Sequence, residues 1–311
     1  MLIRRLTVVS VLYNSADVIQ GCLASIPPGL EVILVDNAST DDGVQRAQAT
    51  RPDAEVIRSD RNLGFGAGCN VGWRAAAKPY VAFINPDVRL HSTTLAVLLH
   101  RLADEKHGMV GPVLLDESGM PRRCKRRPSA LLDLCGLLPA AGRWGPAGWD
   151  GKLDREDEVH TVGGAVACVE GACFVVSASD LKAIGGFDED FFLYYEEESL
   201  AYRLARLGAT AIYEPRAVAE HAGATSTREV GSFAVYHFHR SRVIFYRKRD
   251  GGFRGVLTAL LLIFGVVVCA PSSAVNTLLG RRRPTTLPHL WHVLRGLVAG
   301  MTTILRSDVS Y

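Results

Sequence analysis

The stretch 6–36, LTVVSVLYNSADVIQGCLASIPPGLEVILVD, decides the fold. Residues 6–13 are apolar and β-branched, which reads as a buried strand. Residues 16–25 carry Val18, Ile19, Cys22 and Leu23 at helical spacing. Residues 31–35 read as a second strand that ends at Asp36. The alternation continues outward. Helix is expected over 41–49, capped by Ser39 or Thr40, then strand over 54–57 and helix over 67–77. Strand 80–84 runs into Asn85-Pro86-Asp87, followed by helix 93–103 and strand 109–115. Strands resume at 165–169 and 173–177, then helix 196–207 and strand 209–213. Strand and helix alternating about every dozen residues predicts an α/β domain, a mainly parallel sheet with helices on both faces. Ligands on such sheets bind beyond the carboxyl ends of strands, and Asp36 and Asp87 fall at two such ends.

The 311 residues are 48% hydrophobic and 22% charged, enough for a full core. The net charge of +3 hides an asymmetry. Residues 228–311 hold 12 Lys or Arg against 3 Asp or Glu, a net +9, leaving 23 against 29, a net −6, for the remainder. A basic tail on an acidic body points to a membrane surface or an anionic partner. The seven cysteines form no C-x-x-C pair, which argues against a zinc ribbon or disulfide framework and for a reducing compartment. Arg4 and Arg5 before a short apolar run faintly resemble a signal peptide, but Tyr13-Asn14 ends the run with no cleavage-like site.

Between 116 and 160 the pattern breaks into Gly, Pro and Arg, with the run Arg122-Arg123-Cys124-Lys125-Arg126-Arg127. It reads as a long flap, either a solvated excursion or a contact to an anionic acceptor or lipid headgroup. Residues 233–246 read as an amphipathic helix studded with Arg240, Arg242, Arg247, Lys248 and Arg249. Residues 255–280 lack charge, but their strongly apolar core, 256–270, is short of the roughly 20 residues a membrane helix needs. A second apolar stretch covers 287–305. These segments read as helices packed on the domain or on a second subunit, or as a shallow membrane attachment.

Several residues invite chemistry. Gly64-Phe65-Gly66-Ala67-Gly68 suggests a dinucleotide loop, yet Cys69 and Val71 occupy the positions where the third glycine would stand. Asp36 fits a nucleobase or ribose contact, or simply the start of a helix. Asp87 suits Mg²⁺ or Mn²⁺, which keep waters and take one or two carboxylates plus phosphates, or merely a Pro-Asp turn. The run 185–198, GGFDEDFFLYYEEE, brings aromatics against carboxylates at a helix start. Glu196, Glu197 and Glu198 there offer a base, or only complement the helix dipole. Phe192, Tyr194 and Tyr195 offer apolar faces for a sugar, while Phe187 and Phe191 suit a core. Sugar transfer needs charge stabilisation on a leaving diphosphate, a base and in-line geometry, and a lone carboxylate base favours inversion.

In order along the chain, Tyr13-Asn14, Val35-Asp36-Asn37-Ala38-Ser39, Arg61-Asn62-Leu63-Gly64-Phe65-Gly66, Asn85-Pro86-Asp87 and Gly186-Phe187-Asp188-Glu189 through Glu196-Glu197 closely resemble the family 2 inverting glycosyltransferases. The branch most similar is the rhamnosyltransferase-like one that builds cell-wall and surface polysaccharides. The resemblance covers about residues 6 to 250. It implies a GT-A fold over residues 1–227; the basic and apolar composition of 228–311 reads as a helical extension in peripheral contact with the membrane. Tyr13, Asn14, Asp36, Asn62, Gly64, Gly66, Asn70 and Asn85 would line the nucleotide sugar. Asp87, at the family's D-x-D position, would bind Mg²⁺ or Mn²⁺ with His221, and Glu197 would be the base beside Glu196. dTDP-rhamnose is the expected donor. The expected acceptor is a saccharide, free or polyprenyl-diphosphate-linked, at the cytoplasmic face of the cell membrane. No nucleic-acid partner is expected, and a homo-oligomer stays open.

The chain departs from its relatives in writing Glu196-Glu197-Glu198-Ser199 where they write Glu-Asp-x-Asp. Glutamate is one methylene longer, and Ser199 replaces an acid. A non-catalytic relative that holds a nucleotide sugar within an assembly complex is therefore the alternative. A nucleotidyltransferase would want a glycine-rich basic loop after the first strand, and Tyr13-Asn14-Ser15-Ala16 is not one.

Overall fold

The computed structural model describes residues 2–105, 108–122, 128–129, 159–221, 231–278 and 287–305. Strand β1 (Leu6–Leu12) is followed by α1 (Ile19–Ser25), β2 (Glu31–Asp36), α2 (Gly43–Thr50), β3 (Glu55–Arg58), α3 (Phe65–Ala75) and β4 (Tyr80–Ile84). Then come β5 (Val88–Leu90), α4 (Thr94–Glu105), β6 (Gly108–Leu115), the short α5 (Val159–Val162), β7 (Gly164–Val166), β8 (Cys173–Ser177) and α6 (Ala178–Ile184). Helix α7 (Glu196–Arg206) and strand β9 (Thr210–His221) close the sheet domain, and α8 (Gly231–Asp250), α9 (Gly252–Leu278) and α10 (Leu287–Thr302) follow.

Among the described residues nine strands form one sheet in the order β3-β2-β1-β4-β8-β6-β9-β5, with β7 also on β9. β3, β2, β1 and β4 pair in parallel, as do β6 and β9, while β8 is antiparallel to both β4 and β6. β1, β2, β3, β4, β6 and β9 therefore run one way. Their carboxyl ends place Tyr13, Asp36, Asn85 and His221 along one edge of the sheet. β1 is buried along its whole length because it packs on both faces. Leu6, Val8 and Leu12 join one core with Ile19, Leu23 and Leu98, while Val9 and Val11 join the other with Phe83, Phe174 and Phe187.

Most of the expected elements are present, but β5 and α6 have no counterpart among the sequence expectations and the strand expected over 165–169 is confined to Gly164–Val166. Helix α2 starts at Gly43 after Asp42, without a side-chain cap. Ser39 and Thr40 are instead bound to Asn14: its backbone N–H donates to Ser39 Oγ, and its Oδ1 accepts from the Thr40 N–H. Strand β9 runs past 213 to His221, because a register shift opposite Pro112 and Val113 absorbs Pro215, Arg216 and Ala217. Of the flap, residues 116–122 form a tight turn held by Asp116, whose Oδ1 accepts from the N–H groups of Ser118 and Met120. Residues 123–127 and 130–158, with Cys124, Cys135, Trp144 and Trp149, lie outside the described residues.

The basic helix α8 does not present its cations outward. Arg242 is buried, Lys248 sits between two aspartates, and Arg247 Nη1 caps the end of α10 through the carbonyls of Gly300 and Thr303. No helix among the described residues is long and apolar enough to cross a membrane.

Candidate active site

The first part of the site joins the loops after β1 and β2. Tyr13 is 45% exposed at the end of β1. Asn14 turns with φ of 49° and binds Thr40, while Asp41 Oδ2 accepts from the Ala16 N–H at 2.8 Å. Asp36 is buried at the end of β2, and its Oδ1 accepts from the Ser39 N–H at 2.9 Å. Asn37, given no role of its own within its sequence motif, organises the neighbouring loop. Its Nδ2 donates to Asn62 Oδ1 at 2.9 Å and to Gly64 O at 3.1 Å, and its Oδ1 accepts from the Leu63 N–H at 2.9 Å.

That loop is fastened to the run 185–198. Gly64 has φ of +88°, and a β-carbon there would lie 2.3 Å from Phe192 O, so only glycine fits. The Phe65 N–H donates to the same Phe192 oxygen at 3.0 Å, and Gly66 lies against Phe187 and Glu196. Asn70 is 1% exposed. Its Nδ2 donates to Phe187 O and Glu189 Oε1, and its Oδ1 accepts from Phe187 N–H and Trp73 Nε1. The Asn70 amide is thus spent on holding the run 187–189. The glycine-rich stretch serves close packing of chain on chain.

The second part gathers around Asp87. Asn85 and Val88 close a turn (Val88 N–H to Asn85 O, 3.1 Å) with Pro86 and Asp87 at its tip, so the Pro-Asp turn is real. β5 pairs antiparallel with β9 so that Val88 faces His221. This register puts His221 Nε2 3.3 Å from Asp87 Oδ2, with both side chains nearly buried. His221 Nδ1 is a buried atom without a hydrogen-bond partner among the described residues. Arg122, the first residue of the basic run, donates from Nη2 to His221 O at 3.2 Å and lies 3.7 Å from Glu170. Only its place in that run hinted at a role. Cys22 lies beneath, its thiol facing Asn85 O; burial, then Cys173 and Asp87 alongside, pushes that thiol far up.

The segment Glu170-Gly171-Ala172 links this corner to the acids of α7. The Asn85 N–H donates to Ala172 O at 2.8 Å. A β-carbon on Gly171 would lie 3.1 Å from Glu197 Oε1. Glu197 is 9% exposed, and Glu196 is buried beside Gly66. Both acids lie near Cys69, whose thiol is raised by burial and then by their charges. The helix start complements three carboxylates, and Glu197 among them is buried against Gly171.

Just before α7, Tyr194 and Tyr195 both adopt left-handed conformations, φ 67° and 68°. Such strain in consecutive non-glycine residues clusters at functional sites. Tyr195 is buried against Phe238 and Phe245 of α8, Tyr194 packs on Phe238, and Phe192 stacks on His237. These aromatics form a seam to the C-terminal helices; Tyr195 has no open face to offer a sugar. Phe187 and Phe191 are core, as their apolarity suggested.

Residues 7–185 match the sequence model of glycosyl transferase family 2. The chain belongs to that family. This glycosyltransferase is 30% identical over 264 residues to an N-acetylglucosaminyl-diphospho-decaprenol L-rhamnosyltransferase of Mycobacterium tuberculosis, covering 79% of this chain and 85% of that one. It is 28% identical over 206 residues to a low-salt glycan biosynthesis hexosyltransferase of Haloferax volcanii, covering 65% and 62%. In fold it is similar to a mannosyltransferase of Pyrobaculum calidifontis solved with GDP-Man and Mn²⁺, with a TM-score of 0.55, 20% identity and coverage of 95% and 85%. The fold of the glycosyltransferase is thus GT-A, an α/β domain with C-terminal helices.

Proposed function

We propose that this glycosyltransferase moves L-rhamnose from dTDP-rhamnose, with inversion, onto a polyprenyl-diphosphate-linked saccharide in surface-polysaccharide synthesis. One observation carries the reading: Glu170–Ala172 holds the Asp87 turn at one end and the Glu197 carboxylate beside it. A site for a leaving diphosphate and a base for an incoming hydroxyl therefore share one wall. The rhamnosyl donor and lipid-linked acceptor rest on the similarity to the mycobacterial enzyme.

The residues divide the work. Tyr13, Asn14, Asp36 and the Asn62–Gly66 loop hold base and ribose, with Asn37 keeping that loop in shape. Glu197 takes the proton of the acceptor hydroxyl as its oxygen bonds to the anomeric carbon, and the bond from that carbon to the diphosphate breaks. Glu196, buried against Gly66, supports the helix start. One carboxylate and one imidazole with an orphaned buried nitrogen suit Mg²⁺ or Mn²⁺, which would take its other ligands from water and phosphate oxygens. When bound at Asp87 and His221, that ion would neutralise charge on the diphosphate. Arg122, anchored on His221 O, adds a fixed cation at the same corner.

A lipid-linked acceptor places the work at the inner face of the cell membrane, and α9 offers a contact. Phe253, Leu257, Leu260, Leu261, Phe264, Val267 and Val268 are exposed along it. At helical spacing they share an arc of roughly 120°, while Ala259, Leu262 and Val266 pack inward. A helix apolar on both faces, carrying Arg254 near its start and followed in sequence by Arg281, Arg282 and Arg283, suits the headgroup boundary of an anionic bilayer.

The experiment is a thermal-shift titration with dTDP, UDP and GDP, with and without Mn²⁺. At 100 times its dissociation constant a ligand adds about 2.7 kcal/mol. The reading expects dTDP to raise the melting temperature most, more so with Mn²⁺, and expects the Mn²⁺ increment to vanish in Asp87→Ala. No shift with any nucleoside diphosphate would count against it.

A further inference from the structure

Helix α8 reaches into the run that leads to Glu197. The Lys248 ammonium lies 2.6 Å from Asp188 Oδ2 and 2.6 Å from Asp190 Oδ2, and all three side chains are at most 5% exposed. The Asp190 N–H also donates to Asp188 Oδ1 at 3.1 Å. Arg240 Nη1 donates to Asp190 O at 3.1 Å, and Ser241 Oγ donates to Leu193 O at 2.8 Å. Tyr195 then packs against Phe238 and Phe245. One helix thus holds Asp188, Asp190, Leu193 and Tyr195, all in the eight residues before Glu196. The opposite side of the run is held by Asn70 and Phe65.

A buried lysine persists where acids pair with it, and removing one partner of such a set leaves uncompensated charge. Two adjacent left-handed tyrosines persist only where their surroundings hold them. The family match ends at residue 185, so the whole clasp lies beyond it.

We infer that Lys248 is a positioning residue for sugar transfer. Through Asp188 and Asp190 it fixes the run that sets the start of α7, and so fixes Glu197 against Gly171. The first C-terminal helix thereby completes the active site. This rests on Glu197 being the base. The nucleotide side of the site, built on β1, β2 and the Asn37-organised loop, makes no contact with Lys248 among those described. Its loss should therefore separate turnover from donor binding.

The test uses the full chain and Lys248→Met, with dTDP-rhamnose as donor and decaprenyl-diphospho-N-acetylglucosamine as acceptor. Displacing a reacting group by about an ångström costs on the order of 100-fold. Turnover is expected to fall at least tenfold, with donor KM and dTDP affinity within threefold of the parent. Amide exchange over residues 188–199 should quicken tenfold, with β1 and β2 unchanged. Asp190→Asn, which keeps one full ion pair, should retain most of the turnover. Lys248→Met with parental turnover, while Glu197→Gln is inactive, would overturn the inference. So would loss of dTDP binding together with turnover, which marks general unfolding. If Glu197→Gln keeps its turnover, it is the base assignment that fails, and parental amide exchange over 188–199 in Lys248→Met would then overturn the clasp as well.

Discussion

Gly171 and Glu197 touch: a β-carbon on Gly171 would stand 3.1 Å from Glu197 Oε1 and 3.2 Å from its Cδ. The backbone at Gly171 is not in the left-handed region, so alanine can be accommodated if the carboxylate moves by a few tenths of an ångström. Gly171→Ala is therefore expected to lower turnover on the order of tenfold while leaving dTDP affinity and melting temperature close to the parent. Steady-state kinetics beside a thermal melt checks this.

Asn37 predicts the opposite split. Its amide makes the three bonds that shape the Asn62–Gly64 loop. Asn37→Ala leaves buried groups unpaired, a cost of about 1–3 kcal/mol. Denaturant unfolding should report that loss, and calorimetric titration should find dTDP binding weakened by on the order of tenfold, since the ordering of the loop must then accompany binding.

Stability should fall on acidification. Burial, with Arg242 and His289 alongside, holds the His239 imidazole well below its usual range, and burial with Arg240 lowers His237 to about 4. Both take up protons more readily when unfolded, so the unfolded state binds more protons below its ordinary pKa of 6.5. Their contribution is complete above pH 6.5 and is lost as pH falls toward the folded values. The melting temperature should drop between pH 7.5 and 5, with a shallower slope in His239→Gln. A parental slope in that variant would contradict the account.

The apolar face of α9 makes a prediction about lipid. The pair Leu260→Ser and Phe264→Ser exposes less apolar surface without entering the inner core of the helices. Flotation with anionic phospholipid vesicles should retain the parent and lose most of the doubly substituted protein, with solution activity on a soluble acceptor unchanged. Self-association that disappears with the same substitutions would mark the face as a dimer contact.

Much of this was legible in the sequence, for identifiable reasons. Strands β1, β2 and β4 announce themselves because strands buried on both faces are written as unbroken apolar runs. Asp36 and Asp87 stand out because they end such runs. What joins them is not local. The contact of His221 with Asp87 comes from antiparallel pairing of β5 with β9 across 133 intervening residues. Asn37 and Gly171 look unremarkable because their roles depend on what faces them. Tyr195 misled most: an aromatic beside acids suggests a sugar platform, but α8 covers it, whereas Tyr194 is only partly buried. The cations of α8 misled for the same reason, since their partners lie in the run 188–193 and at the end of α10.

The measurement that bears most directly on the central claim is the initial rate of rhamnose transfer from dTDP-rhamnose to decaprenyl-diphospho-N-acetylglucosamine by Glu197→Gln relative to the parent. A positioned base contributes roughly 10²–10⁴-fold. The account predicts a loss of that size at unchanged dTDP affinity, with parental transfer abolished by EDTA and restored by Mn²⁺. Transfer by Glu197→Gln at the parental rate would contradict it.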